Sequence, residues 1–516
     1  MRYVLIKDIT MPVRECLLTF EEIPPFHISF IYPQINGVWI FIAGVLCFLM
    51  QAGFGLLEVG SIRAKNAQNV LLKNIIDGCA AALIYWATGF GLALGEGGNP
   101  FLGKTYFFLI GYEDQLVIFF FFYVFAATTA TIVSGAVAER CRFRAYLVYT
   151  FVLTGFIYPV NTHWLWSPDG FLHGHVVDYA GGGAVHMVGG AAALAGAWII
   201  GPRIGRFTYD ESTKKWSSNP IPGHNAVLAA TGAFILWFGF FPFNAASGFA
   251  IVGDGFAQVG RVATVTALAG AAGCFTLLGV GFYFHEEQTI DLGLSINGLL
   301  SGMVATCSGV GYYDPWAGIP VGITGALSYY AFALLLEKLR IDDPIGAAPV
   351  HLAAGGWGLI CAAFFTNGAY LDGATADQIG IFFGGNGILL GWQLAALLLD
   401  FAWPFTTCSL MFWTMNRYGI LRVSEEAEKM GMDHHHHGGS AYRWDSVVTG
   451  PSTQSISASK TNANVGTASN SGADEEIGET APTNENESSN HSSNELRRRS
   501  AAALRTSMMP TPYGAL

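Results

Sequence analysis

Charge is what this chain lacks most. Only 12% of its 516 residues are Asp, Glu, Lys or Arg, about half the ~25% usual in a soluble domain. The deficit spans roughly the first 420 residues and excludes a water-soluble globule there. Cysteines are few: Cys16, Cys47, Cys79, Cys141, Cys274, Cys307, Cys361 and Cys408, scattered and with no CxxC spacing. That pattern excludes a disulfide framework or a zinc site and reads as free thiols. No stripe of Arg and Lys interleaved with aromatics appears, so nucleic acid is not an expected partner. The N-terminus lacks the clean apolar run and small-residue cleavage site of a signal peptide. No nucleophile–base pair or metal-ligand cluster is visible, so neither an enzyme, a metal site nor a cofactor is expected. The net charge of −11 says little about partners, because many of the acids lie near the C-terminal end.

What is present is apolar sequence, 52% of the chain. A membrane-spanning helix needs about 20 mostly apolar residues. Such segments fall near 37–60, 75–97, 116–138, 145–165, 179–201, 224–246, 262–284, 292–311, 317–337, 345–367 and 385–414. The expected fold class is therefore all-α and polytopic, with about eleven transmembrane helices. Basic residues set orientation, because Lys and Arg accumulate in cytoplasmic links. The links after the first, third, fifth and ninth segments carry Arg63, Lys65 and Lys73; Arg140, Arg142 and Arg144; Arg203, Arg206, Lys214 and Lys215; and Lys338 and Arg340. The opposite links carry only Lys104 and Arg261. The N-terminus is thus expected outside and the C-terminus in the cytosol, although Arg2, Lys7 and Arg14 run against that sense.

Four regions follow: an extracellular segment 1–36, a membrane domain 37–415, a cytosolic region 416–442 and a tail 443–516. The tail is rich in Ser, Asn, Thr and Glu. It cannot bury enough apolar surface to offset its chain entropy and is expected to be disordered. The glycosylation matches at Asn486 and Asn490 are expected to go unused on a cytosolic tail. Arg497, Arg498 and Arg499 before Ser500 read as a charged cluster or as a kinase site. The run His434–His437 reads as a solvated loop or as a metal binder; being internal, it is not a purification tag.

One short pattern occurs twice. Asp178 precedes His186 by eight residues, and Asp343 precedes His351 by eight. Each Asp opens an apolar, Gly/Ala-rich segment. An ionisable residue inside a membrane segment is costly and is a functional hypothesis by default. Eight residues of helix rise about 12 Å, which carries each His near the middle of a ~30 Å hydrocarbon core. One segment enters from outside and the other from the cytosol. That is the arithmetic of two inverted five-helix repeats plus a final helix, with a site near the midplane. The histidines read as a conduction pathway or as buried imidazoles satisfied by the backbone. Each Asp reads as a helix N-cap; Asp178 also reads as a carboxylate beside an entrance.

These residues resemble the ammonium transporter family, which includes methylammonium permeases and Rhesus proteins. The resemblance covers 37–442. It rests on GFGLLEVGSIRAKNAQNVLLKN (53–74), FAATTATIVSGAVAER (125–140), NTHWLW with DYAGGGAVHMVGG (161–190), WFGFFPFNAAS (237–247), IDDPIGAAPVHLAAGGWG (341–358) and LRVSEEAEKMGMD (421–433). The ammonium transporter branch is the better match, because Rhesus proteins usually lack the Trp166 equivalent.

The resemblance implies a homotrimer with one pore per subunit. It implies an external ammonium site at Trp166, Ser247, Phe125 and Asp178, a gate of Phe125 and Phe243, and a pore or proton relay at His186 and His351. It leaves Asp343 as a structural cap. On residue type alone Trp166 reads first as an interfacial belt residue. The chain departs from the family pattern at Phe122, where Gln is frequent. It departs again at Pro242, where Gly is usual, and at Leu352, where Gly is common. Pro349 is expected to kink the segment that carries His351.

The implied activity is ammonium transport across the plasma membrane, with methylammonium as an analogue. The cation would be recruited outside, deprotonated, and conducted as ammonia with a relayed proton. The alternatives are an ammonium sensor that signals through the tail and a Rhesus-type neutral gas channel. The region 416–442 resembles a regulatory C-terminus, where a cytosolic regulator or kinase could act. His435 occupies the position of a phosphorylatable Thr in plant relatives.

Overall fold

The computed structural model describes residues 25–284, 290–371 and 373–442, with backbone only for 25–30. The expectations placed on the N-terminal segment up to 24 and on the tail 443–516 lie outside the described residues, including those at Asn486, Asn490 and Ser500.

The described chain is a bundle of helices. In order these are α1 (Pro25–Ser61), α2 (Ala64–Leu94), α3 (Glu113–Ala136), α4 (Phe143–Trp166) and α5 (Gly182–Ile200). A surface hairpin of β1 (Phe207–Asp210) and β2 (Lys215–Ser218) follows, paired antiparallel. Then come α6 (Ala226–Gly248), α7 (Asp254–Phe284), α8 (Leu292–Thr306), α9 (Pro315–Lys338), α10 (Pro349–Phe365) and α11 (Ile388–Arg417). Two short helices close the described chain, α12 (Glu425–Met430) and α13 (Met432–His436).

Among the described residues, nine helices are long and apolar enough to cross a membrane, and α8 and α10 are shorter apolar helices. Each apolar segment read from the sequence corresponds to one of these helices, with shifted ends. α1 begins at Pro25 rather than 37, and α2 at Ala64 rather than 75. Two link assignments are therefore corrected. Lys73 is buried inside α2, where its Nζ donates to the Cys141 carbonyl at 2.8 Å. Arg261 belongs to α7. The reason is that an isolated Lys or Arg does not interrupt an apolar helix when it has hydrogen-bond partners, as Lys73 and Arg261 have in the Cys141 and Gly311 carbonyls.

The burial pattern is that of a lipid-solvated protein. Phe275 and Leu398 stand 71% and 64% exposed, while Glu58, Asp77, Thr128, His163 and Gln393 are sealed. In lipid, backbone polar groups must be satisfied inside the bundle, and buried side chains gain from partners there too. Asp77, for example, takes hydrogen bonds from the Tyr146 and Thr150 hydroxyls.

The basic links converge at one end of the bundle. Glu139 is buried between Arg63 and Arg203. Arg203 donates from Nε and Nη2 to Asp342 at 2.8 and 3.1 Å, a two-point fork that suits a carboxylate. Burial alone would raise the Asp342 carboxyl, but Arg203 and Arg140 override it and hold it well below the usual carboxylate range. The segment after α11 is strapped to this end. Arg422 pairs with Glu428 at 2.8 Å, and Asp433 accepts the backbone N–H groups of Gln68 and Asn69, both at 3.0 Å. The histidine run is not a loop: His434, His435 and His436 lie on α13, largely exposed, and His437 meets the Asn69 amide at 2.9 Å. Among the described residues no group of three His, Cys, Asp or Glu is placed to hold a metal ion.

Candidate functional site

The residues singled out by the sequence come together along one line through the bundle. At the end of α4 opens a cavity of about 450 Å³, lined by Phe122, Phe125, Trp166, Asp178, Tyr179, Ser247 and Phe249 among others. Trp166 is fixed there because its indole N–H donates to the Asp178 carbonyl oxygen at 2.7 Å. The hydrogen bond fixes the ring by its N–H edge, and the side chain lines the cavity. Ser247 donates to the Phe243 carbonyl at 2.8 Å. Its hydrogen is thus occupied and its oxygen remains free to accept from an N–H group.

The floor of this cavity is Phe125. Its ring lies parallel to that of Phe243, with centroids 4.0 Å apart and planes 8° apart. No passage remains between two rings in that contact. Trp166 packs edge-on against Phe125 at 6.2 Å. Phe122 stacks on Phe249 at 5.8 Å, so the position where the family often has Gln is here part of an aromatic wall. Pro242 leaves α6 intact up to the gate ring beside it.

Next to the stacked rings lie the imidazoles. The His186 ring is 5.5 Å from Phe243 and 5.2 Å from the His351 ring. The two Nδ1 atoms are 3.2 Å apart. One Nδ1 must therefore carry the hydrogen and the other must be bare. His186 Nε2 is buried without a protein partner. On the far side of His351 lies a second cavity of about 20 Å³, lined by Phe54, Ile132, Phe240, Asn297, Ile345 and Val350. That holds roughly one molecule the size of water.

The two Asp/His copies share more than the spacing seen in the sequence. In the first, Asp178 accepts the backbone N–H groups of Gly183 and Ala184. In the second, Asp343 accepts that of Ala348 at 2.7 Å. Three residues after each Asp stands a glycine with left-handed backbone, Gly181 at φ 87° and Gly346 at φ 72°, a conformation that side chains resist. Each His then sits in a π-helical turn, Gly182–Met187 and Pro349–Ala353. The irregularity expected from Pro349 thus occurs in both copies, and the first has no proline. Four residues after each His is a glycine against the other copy. A β-carbon at Gly190 would lie 2.2 Å from the Leu352 nitrogen, and one at Gly355 would lie 2.6 Å from the Gly182 oxygen. The full frame, D-x2-G-x4-H-x3-G, is readable in both copies once the glycines are given a role.

Other neighbours had no sequence signal. Phe240 stacks on His186 at 5.6 Å. Asp400, on α11, is sealed in the bundle, and the Asn161 amide donates to its Oδ1 at 2.9 Å.

Comparison with known proteins places the whole chain. The model of the Ammonium Transporter Family matches residues 38–442. A Caenorhabditis elegans protein described as putative ammonium transporter 1 is 41% identical over 431 residues, covering 80% of this chain and 79% of that one. Dictyostelium discoideum ammonium transporter 3 is 39% identical, covering 79% and 94%. The solved structure of a sensor Amt protein superposes with a TM-score of 0.72 at 32% identity, covering 79% of this chain and 99% of that one. The chain is an integral membrane protein and a transporter rather than an enzyme, and it belongs to the ammonium transporter family.

Proposed function

We propose that the protein moves ammonium across the membrane by drawing the cation to the Trp166 cavity, removing its proton there and passing ammonia over the two histidines. The observation that carries this reading is the order of groups on one line: aromatic and hydroxyl, carboxylate, closed aromatic pair, two imidazoles, then a cavity of molecular size.

The chemistry follows from the line. An indole face attracts a cation by about 0.5–2 kcal/mol, depending on desolvation. Ser247 accepts one N–H, and Asp178 adds negative charge at the mouth. The stacked Phe125 and Phe243 refuse a hydrated ion, whose shell cannot pass between rings in contact. A charged species in the bundle centre is costly, whereas ammonia is neutral and needs only hydrogen-bond partners. With opposite tautomers at Nδ1, one imidazole presents a bare Nε2 and the other an Nε2–H. Ammonia donates to the first and accepts from the second. The proton left by ammonium passes separately over the same pair, because each ring takes a proton on one nitrogen and releases one from the other. It rejoins ammonia beyond His351.

The reading includes an orientation. α4 runs from Arg142, at the basic end, to Trp166, at the cavity, so the basic end faces the cytosol and the cavity faces outside. It also includes a homotrimer in the plasma membrane with one pathway per subunit. The membrane domain is then 37–415, and 416–442 is a cytosolic regulatory region held by Arg422, Glu428 and Asp433.

The test is an ammonium jump on proteoliposomes, with a potassium jump as control. The unmodified protein gives current with ammonium and none with potassium. Replacing both His186 and His351 by Ala is expected to abolish the current. Ammonium currents of normal size in that double variant would sink the relay, and methylammonium uptake without current would favour the neutral channel.

A further inference from the structure

Asp400 is a buried acid for which the pathway above has no use. It is fully sealed, and its Oδ2 has no hydrogen-bond partner among the described residues. It lies beside Asp178. A β-carbon added at Gly183 would stand 2.3 Å from Asp400 Oδ2 and 3.3 Å from Asp178 Oδ2. Both carboxyl oxygens therefore converge on Gly183, at most about 6 Å apart, a range over which like charges oppose each other's ionisation. Neither carboxyl has an ion-pair partner among the described residues. The titratable groups around Asp178 are Tyr158 on α4 and Cys307 and Tyr313 between α8 and α9, none of them a cation.

We propose that Asp178 and Asp400 form one buried carboxyl pair that holds a single proton, carried on Asp400 Oδ2. The hydrogen bonds place it there. Asp178 accepts two backbone N–H groups, a setting that favours the ionised form. Asp400 receives only the Asn161 amide, on Oδ1. Its Oδ2 is thus the oxygen free to carry hydrogen, and it faces the Gly183 side shared with Asp178. Two bare carboxylates this close, with no cation beside either among the described residues, would oppose each other's ionisation. One proton leaves the pair with a single negative charge, which is the charge the cavity sees through Asp178. Asp400 is then a positioning residue, because it touches no substrate and acts by fixing the charge and the donor behind Asp178. The pair's role at an ammonium entrance rests on the function proposed above; its proton does not.

Infrared spectroscopy on the full chain in lipid tests the pair directly. Protein carrying ¹³C-aspartate separates aspartate from glutamate signals, and exchange into D₂O marks the protonated carboxyl. The expected result is a protonated-aspartate carbonyl band at neutral pH that is lost in Asp400→Asn, a replacement of equal shape. The acid limb of the ammonium current against external pH should also move by at least about one unit, since a coupled pair titrates in two separated steps. Asp400→Ser provides the same comparison if the Asn variant does not reach the membrane. No protonated-aspartate band in the unmodified protein, or an undiminished band in the variant, overturns the pair. Loss of the band in a protein that gives no ammonium current leaves the pair standing and removes the transport reading.

Discussion

The stretches 178–190 and 343–355 share one frame and sit in different surroundings. Both begin with an Asp that accepts helix-start N–H groups, turn at a left-handed glycine, place a His in a π-turn and end at a glycine against the other copy. Yet Asp178 opens on the large cavity, while Asp343 is wholly sealed next to Asp342 and its arginines. The frame sets where the two imidazoles meet. The surroundings decide what the acid in front of each can do. On the function proposed above, a duplicated local geometry thus carries one entrance and one anchor.

The most severe way to break this comparison is at the glycines where the copies touch. Gly190→Ala puts a methyl 2.2 Å from a backbone nitrogen, and Gly355→Ala puts one 2.6 Å from a backbone oxygen. Neither neighbour is the end of a flexible side chain. Both variants are expected to lose most folded protein, read as the monodisperse fraction after detergent extraction. Normal yield from either would mean the copies cross less tightly than the frame requires.

A smaller effect separates the acids. Asp178→Asn is expected to cut ammonium uptake at least tenfold per folded protein, about 1.4 kcal/mol. Asp343→Asn should instead lower thermal stability by about 0.5–2 kcal/mol, the worth of a helix cap, with uptake per folded protein nearly kept. Equal losses of uptake in the two variants would erase the distinction between entrance and anchor.

A last effect concerns pH and Asp342, the acid next to the anchor. The Asp342 carboxyl is held below its unfolded value, so its contribution to stability is complete above about pH 4 and is lost as pH falls through the lower folded value. Thermal melts should show falling stability below that point, and Asp342→Asn should flatten the acid slope. An unchanged slope would place the acid sensitivity elsewhere.

How much of this the sequence discloses depends on how local the signal is. The apolar segments are local, and each was readable as a helix, nine of them among the described residues long and apolar enough to cross a membrane; their ends were not, because Lys73 and Arg261 are tolerated inside helices by contacts made far along the chain. The Asp and His of each copy stood out because ionisable residues are scarce in apolar sequence. The glycines of the same frame did not, because the chain has 64 of them. Phe125 and Phe243 were marked only by resemblance, since nothing local separates them from 36 other Phe residues. Nothing in the sequence marks Asp400. Its partner Asn161 is 239 residues away, and a contact of that span leaves no pattern in one sequence.

The parallel rings of Phe125 and Phe243 have a consequence for the resting protein. A wire of liquid water would let protons leak through any open pathway, with or without cargo. Two aromatic faces in contact leave no thickness for even one layer of water, so the wire is cut. On the pathway proposed above, the membrane stays electrically insulated while the protein waits, and each passage needs the rings to swing apart. Traffic is then metered by a chance motion of two side chains rather than by the width of a permanent hole.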